Sequence, residues 1–178
     1  PAVSWNGTRA IAADVDLDGI QEVVILGSVY REDGTLVWDS GQGGNSSAVG
    51  NFDDDPNPEI VLLQSGAIVL IDNDGTVLWR KAISGDTGGG SLTLGDMDGD
   101  GYAEIGVSMR NYYTVVNHDG SILWQNTIRD YSSAVTGSTV FDFDGDGRVE
   151  IVYADEQYLH VYDGLTGEEI FNMSNRSP

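Results

Sequence analysis

The feature that most constrains this chain is a nine-residue acidic loop that occurs four times. Its fullest form is Asp142-Phe143-Asp144-Gly145-Asp146-Gly147-Arg148-Val149-Glu150, followed at once by the apolar run Ile151-Val152-Tyr153. The other copies run from Asp14 to Glu22, from Asn51 to Glu59 and from Asp96 to Glu104. A second marker keeps the same phase: Asp33-Gly34-Thr35-Leu36-Val37-Trp38, Asp74-Gly75-Thr76-Val77-Leu78-Trp79 and Asp119-Gly120-Ser121-Ile122-Leu123-Trp124. An altered form, Asp163-Gly164 leading to Ile170-Phe171, follows the fourth loop. Two markers in a constant order define an internal repeat, which must be read before any single element.

Each repeat parses into four short strands. In the third, Ser91 to Leu94 enters the acidic loop, Glu104 to Met109 leaves it, and Tyr112 to Asn117 follows. An Asp-Gly turn then leads into Ser121 to Asn126. Asp-Gly between apolar runs is a strong hairpin signal, because the turn needs a positive φ that Gly adopts at little cost. The segments are rich in Val, Ile and aromatics, and none has the period of an amphipathic helix. Units of ~40–50 residues with four strands are the signature of propeller blades, which cannot bury both faces alone. The expected fold is therefore all-β, a β-propeller of four-stranded antiparallel blades in one domain over residues 1–178. The blades fall at about 5–42, 45–86, 90–131 and 135–175, closing as a four-blade wheel or forming part of a larger one.

Charge narrows the function. The formal net charge is -21, with eight Lys and Arg against 29 Asp and Glu. Such a surface repels phosphate backbones and anionic lipid, which argues against nucleic-acid partners and electrostatic membrane attachment. No apolar run reaches membrane-spanning length, which argues against insertion. The acid is concentrated: 16 of the 29 carboxylates lie in the four loops, a distribution that fits cation sites better than general solubility. The absence of Cys removes disulfides and thiolate metal sites. Acceptor sequons at Asn6, Asn45, Asn172 and Asn175 add to an extracellular reading without carrying it, since Asn also serves as a plain turn residue.

The loop chemistry is that of a hard cation. Ca²⁺ takes six to eight oxygen ligands, and alternating Asp at positions 1, 3 and 5 supplies three carboxylates from one turn. Position 7 offers a backbone carbonyl, position 9 an acid, and Gly at position 6 allows the bend. The EF-hand shares the first half of this pattern but needs a Glu at position 12 and flanking helices. Position 12 here is Ile25, Leu62, Val107 or Tyr153, and the flanks read as strands, so the EF-hand is excluded.

The pattern Asp-x-Asp-x-Asp-Gly-x-x-acid, flanked by strands and repeated in phase from about Ala10 to Asn175, resembles the FG-GAP (integrin-α-type, or VCBS-like) propeller repeat. The resemblance implies one Ca²⁺ per blade, up to four in the chain, at the loop joining the first two strands. The implied ligands in blade 1 are Asp14, Asp16, Asp18, the Ile20 carbonyl and Glu22. In blade 3 they are Asp96, Asp98, Asp100, the Tyr102 carbonyl and Glu104, and in blade 4 Asp142, Asp144, Asp146, the Arg148 carbonyl and Glu150. Blade 2 departs from the pattern, with Asn51 for the first Asp and Pro56 for the Gly. Its ligands would be Asn51, Asp53, Asp55, the Asn57 carbonyl and Glu59, the weakest set of the four.

Other residues are better explained by structure. Trp38, Trp79, Trp124 and Phe171 share one register, as expected of packing between blades rather than a carbohydrate platform. His118 and His160 have no nucleophile or second His at a suggestive spacing. Asp163-Gly164-Leu165-Thr166-Gly167 resembles the turn of quinoprotein-type propellers but occurs once, and no catalytic residue is assigned. The reading is a non-enzymatic, calcium-stabilised extracellular module for adhesion or scaffolding, with a protein or glycan partner. Two alternatives stand beside it: a subunit that self-associates into a filament or a completed wheel, and a fragment of a propeller-type polysaccharide lyase.

Overall fold

A computed structural model describes residues 9–84, 90–131 and 136–175. Asn6, Gly88 and Gly89 of one link, and the expected blade limits at 5, 86 and 135 lie outside these residues. The described chain forms sixteen strands in four sheets, and it contains no helix long and apolar enough to cross a membrane. The first sheet comprises β1 (Ala10–Ala13), β2 (Glu22–Ile25), β3 (Ser28–Tyr30) and β4 (Leu36–Asp39). The second comprises β5 (Ser46–Gly50), β6 (Glu59–Gln64), β7 (Ala67–Ile71) and β8 (Val77–Ala82). The third comprises β9 (Thr93–Gly95), β10 (Glu104–Ser108), β11 (Tyr112–Val116) and β12 (Ile122–Thr127). The fourth comprises β13 (Ser138–Phe141), β14 (Glu150–Ala154), β15 (Tyr158–Asp163) and β16 (Glu169–Ser174).

Every sheet is an antiparallel meander in chain order, as short turns between consecutive strands dictate. The Asp-Gly turns close with local bonds: Asp33, Asp74 and Asp119 each accept the N–H two residues on at 2.8 Å, while Gly34, Gly75 and Gly120 take positive φ. A register shift recurs at one position in all four sheets, after Val29, Leu70, Val115 and Val161. These four residues pair with Trp38, Trp79, Trp124 and Phe171, so the bulge sits beside the aromatic of the outermost strand.

The core lies between sheets rather than within one. Val15, Val24 and Val29 of the first sheet pack with Ile60, Leu62, Val69 and Ile71 of the second. Phe52, Leu63, Ile68 and Leu70 of the second meet Ile105, Val107 and Val116 of the third. Met97, Tyr113, Val115 and Trp124 meet Ile151, Tyr153 and Tyr162 of the fourth. The second and third sheets thus bury one face against the sheet before and the other against the sheet after, while among the described residues the first and fourth each bury a single face against a neighbour. The inner strands β1, β5, β9 and β13 touch in sequence. This is the radial stacking of a propeller.

The aromatic register packs between blades, as the sequence implies. Trp38 lies over Gly75, Trp79 over Gly120 and Trp124 over Gly167, with ring atoms 3.0, 3.2 and 2.5 Å from the position a Cβ there would occupy. Each indole N–H donates to a carbonyl of that next turn: Trp38 to Asn73 at 2.7 Å, Trp79 to His118 at 2.9 Å and Trp124 to Gly164 at 2.6 Å. A larger residue at those glycines would unseat the indole, so the turn glycine serves the interface as well as the hairpin. Phe171, the fourth member, has no such seat among the described residues and is 51% exposed.

Candidate metal centres at the blade corners

The acidic loops join the first and second strands of each sheet, and each folds around its own carboxylates. The carboxylate at position 1 gathers the turn: Asp96 accepts the N–H groups of Gly99 and Gly101 at 2.8 and 3.1 Å, and Asp142 those of Gly145 and Gly147 at 2.6 and 3.1 Å. Asp14 accepts those of Asp18 and Gly19 at 3.1 and 2.9 Å. Position 5 accepts the N–H of position 7 in every blade, so Ile20, Asn57, Tyr102 and Arg148 bond Asp18, Asp55, Asp100 and Asp146 at 2.8, 2.7, 2.9 and 2.9 Å. The glycines at position 6, Gly19, Gly101 and Gly147, have φ of 91, 97 and 92°. At position 4 the backbone is left-handed in three blades, and in blade 1 Leu17 stands there with φ of 57°.

The structure brings carboxylate oxygens together in all four loops. Asp14, Asp16 and Asp18 converge, as do Asp53, Asp55 and Glu59, then Asp96, Asp98 and Glu104, and finally Asp142, Asp144 and Asp146. Within each group one oxygen of every residue lies within 4.8 Å of the others. Asp100, Glu22 and Glu150 are outside these tightest groups. Asp100 instead turns toward His118 Nε2 at 3.7 Å, and Asp146 is gripped by Arg148 at 2.5 and 3.1 Å. In blade 2 the Asn51 amide is occupied by the loop itself. Its Nδ2 donates to the Asp55 carbonyl at 2.7 Å, and its Oδ1 accepts the Asp53 N–H at 3.2 Å.

Position 9 has a role that sequence reasoning missed. In every blade the Glu is buried, and one of its oxygens accepts the backbone N–H of position 2. Glu22 holds Val15 at 3.0 Å, Glu59 holds Phe52 at 2.6 Å, Glu104 holds Met97 at 2.6 Å and Glu150 holds Phe143 at 2.8 Å. The reach explains Glu rather than Asp: the side chain spans from the start of the second strand back to the start of the loop. In Glu59 and Glu104 the other oxygen, Oε1, is buried with no hydrogen-bond partner among the described residues. Burial, with neighbouring Asp53 and Asp55 or Asp98 and Asp100 adding to it, pushes these two carboxyls up to about 7. A buried carboxylate oxygen without a hydrogen-bond partner among the described residues, set beside two converging aspartates, is a donor set that fits a hard divalent ion.

A second titratable group, also unseen in the sequence, gathers around His160. Its Nδ1 is 2.5 Å from Glu169 Oε1, and its Nε2 is 3.5 Å from Asp155 Oδ2. The ring stacks on Tyr162 at 5.4 Å, and Asp155 itself holds the N–H groups of Gln157, Tyr158 and Arg129. These partners come from a turn and from the neighbouring strand β16, so no linear spacing announces them. His118 stacks on Tyr102 at 4.6 Å, and the Tyr102 hydroxyl donates to Asp54 Oδ1 at 2.5 Å, tying the third loop to the second. Asp163 closes its turn through Thr166, the structural role expected of that segment. Of the sequon residues described, Asn45, Asn172 and Asn175 are exposed.

Comparison with known proteins bears on the fold. Residues 51–107 match the FG-GAP-like repeat, a span that covers the second loop through the strand after the third. No curated protein matches the sequence. Among solved structures, the Vibrio cholerae biofilm matrix protein Bap1 superposes with a TM-score of 0.79 at 15% identity, over 95% of this chain and 55% of that one. BBS1N, solved in complex with ARL6DN and soaked with lead, gives 0.64 at 14% identity, over 96% and 55%. The dihydro-heme d1 dehydrogenase NirN, in complex with DHE, gives 0.60 at 19% identity, over 88% and 36%. The chain therefore spans about half the length, or less, of the structures it matches.

Proposed function

We propose that this chain, which carries an FG-GAP-like repeat, is a calcium-stabilised β-propeller module of the extracellular space, working in adhesion or scaffolding. The observation that carries the calcium reading is the buried, unpartnered Oε1 of Glu59 and Glu104 beside converging aspartates. Ca²⁺ suits such loops better than Mg²⁺, which demands near-ideal octahedral geometry and keeps several waters. In blades 1, 3 and 4 the Asp at positions 1, 3 and 5 and the Glu at position 9 supply carboxylate oxygen, and position 7 its carbonyl. In blade 2 Asn51 brings no charge and its amide is engaged within the loop, which makes that site the weakest. In blade 4 Arg148 competes for Asp146.

The ions would be structural. At an extracellular-type Kd of order 10⁻⁴ M and about 1 mM Ca²⁺, each site contributes roughly 1.4 kcal/mol. Four such sites sum to ~5–6 kcal/mol, comparable to the net stability of an ordinary domain. Thermal melting in EDTA and in about 1 mM Ca²⁺ tests this, with an expected rise of roughly 10–20 °C in calcium. Equal melting temperatures would falsify the structural role.

The propeller face presents loops to a protein or glycan partner, and a structure of the same fold belongs to a biofilm matrix protein, a setting of the kind proposed. The reading is non-enzymatic: the converging carboxylates serve a cation, and a calcium-bound carboxylate is a poor base. Two assays address this part. Product formation from acidic polysaccharides would replace the binding reading with a lyase, and failure to retain any glycan in calcium would remove the glycan arm.

A further inference from the structure

The meander sorts its charges by end. The acidic loops and the Asp-Gly turns lie at one end of every sheet, and the turns between second and third strands lie at the other, together with the links between sheets. The loops alone hold 16 of the 29 carboxylates, and the Asp-Gly turns add Asp33, Asp74 and Asp119. At the opposite end, the charged residues outside the strands are, among the described residues, Arg9, Arg110, Arg129, Asp130, Asp155 and Glu156. Asp130 and Asp155 are 1 and 7% exposed and committed inside the fold. Asp130 accepts the Tyr153 hydroxyl at 3.0 Å, and Asp155 accepts the N–H groups of Gln157, Tyr158 and Arg129. Asp39, which ends β4, accepts the Gly41 N–H at 2.9 Å. The exposed charge in the turns and links of this end is thus three arginines against Glu156, the reverse of the chain as a whole.

The two ends are electrically separate in salt. A five-residue strand such as β7 is about 17 Å long, roughly twice the screening length of about 8 Å at physiological salt. The acidic corners repel a long anionic polymer that wraps the molecule, yet weigh little on one short anionic group at the arginine end.

Two of these arginines share the seam between the third and fourth sheets. After β12 the chain runs beside the β10–β11 turn, with the N–H groups of Ile128 and Asp130 donating to the Asn111 and Arg110 carbonyls at 3.0 Å each. Alternation along this segment buries Ile128 and Asp130 and turns Arg129 and Tyr131 outward. The Arg110 guanidinium lies 5.2 Å over the Tyr131 ring, and Tyr131 and Tyr158 are 55 and 41% exposed. Beside Arg129 lies a cavity of about 380 Å³ lined by Thr127, Asp155, Gln157, Tyr158 and His160, a volume in the range of small-ligand sites. In its wall His160 Nε2 is buried with no hydrogen-bond partner among the described residues, a polar atom that a ligand hydroxyl can satisfy.

We propose that this seam binds a carboxylate-bearing sugar of an acidic glycan. Arg129, joined by Arg110, takes the carboxylate through its planar fork of donors. Tyr158 offers a flat apolar face to the sugar ring, and Gln157 and His160 meet its hydroxyls. The arginines select an anion, while the exposed aromatics and the hydrogen-bonding wall select a sugar that carries it. This inference rests on the glycan arm of the proposed function, which it narrows to an anionic sugar, and it does not depend on bound calcium.

Calorimetric titration with tetramers of galacturonate, mannuronate and glucuronate, in about 1 mM Ca²⁺ and about 0.15 M salt, tests it against their methyl esters, which keep the rings and lose the charge. At least one acidic tetramer should bind, and its ester should bind about tenfold more weakly or worse. Arg129→Gln should weaken the acidic tetramer by about tenfold to hundredfold and leave the melting temperature unchanged, since the side chain is exposed. Arg129→Lys, which keeps the charge without the fork, should fall between. Acid and ester binding equally well overturns the inference and leaves the glycan arm standing; no binding by any tetramer overturns both. Binding that is undiminished in Arg129→Gln, as bridging through calcium at the acidic corners would give, also overturns it. So does tetraglutamate binding as tightly as the sugar, which would make the partner an acidic peptide.

Discussion

Replacing Glu104 by Gln isolates the electrostatics of the best-defined corner. In the folded chain this carboxyl is pushed from 4.5 to about 7, chiefly by burial and next by Asp98, with the Met97 N–H pulling the other way. Between those two values the folded carboxyl keeps a proton that the unfolded one has released. The folded state therefore binds more protons, and without metal its stability falls as pH rises from about 4.5 to about 7. A rise of about 2.5 units corresponds to something on the order of 3 kcal/mol. Gln carries no such proton and still offers an oxygen to Met97, so the calcium-free variant should lack this decline. Repulsion among the other acids grows over the same interval, and the informative quantity is the difference between the two proteins. Urea unfolding in EDTA at about pH 5 and about pH 7.5 should show that difference moving by ~2–3 kcal/mol in favour of Glu104→Gln at the higher pH. Calcium should then favour the wild type, since only the carboxylate is a charged ligand. A wild-type-minus-variant difference that is the same at both pH values would refute the reasoning.

Three further outcomes are expected. Gly101→Ala should destabilise by about 1–2 kcal/mol in urea unfolding: the residue has φ of 97° and open space around a Cβ, so the loss is backbone strain without a clash. Trp79→Phe keeps a ring over Gly120 but removes the 2.9 Å bond to the His118 carbonyl, and should cost about 1 kcal/mol. Arg148→Gln frees Asp146, and calorimetric titration should show the tightening of one calcium site by about two- to fivefold, with the others unchanged.

Much of this structure is legible in the chain because its determinants are local. Asp74-Gly75 specifies a hairpin through one side-chain bond and one positive φ, both within four residues. The alternation in Asp96-Met97-Asp98-Gly99-Asp100 marks an oxygen-rich turn for the same reason, since its bonds run two to five residues along the chain. The His160 group was not legible, because Glu169 reaches it across the sheet and Asp155 from a turn. The second role of the position-9 Glu was hidden as well: the pattern shows an acid there, and only the folded corner shows one oxygen on a backbone N–H and the other buried without a partner.

The sequence by itself determined the repeat, the strand order within each sheet, the hairpin turns and the acidic corners. All of these depend on residues near one another in the chain and recur in phase. Tertiary structure alone decided which loop oxygens are buried, what each indole rests on, and how far the second residue of each loop is covered. Those depend on how one sheet stacks against the next, and among the described residues the first and fourth sheets pack against a neighbour on one side. Phe143 and Met97 hold the same place in the repeat, yet one is exposed and the other fully buried.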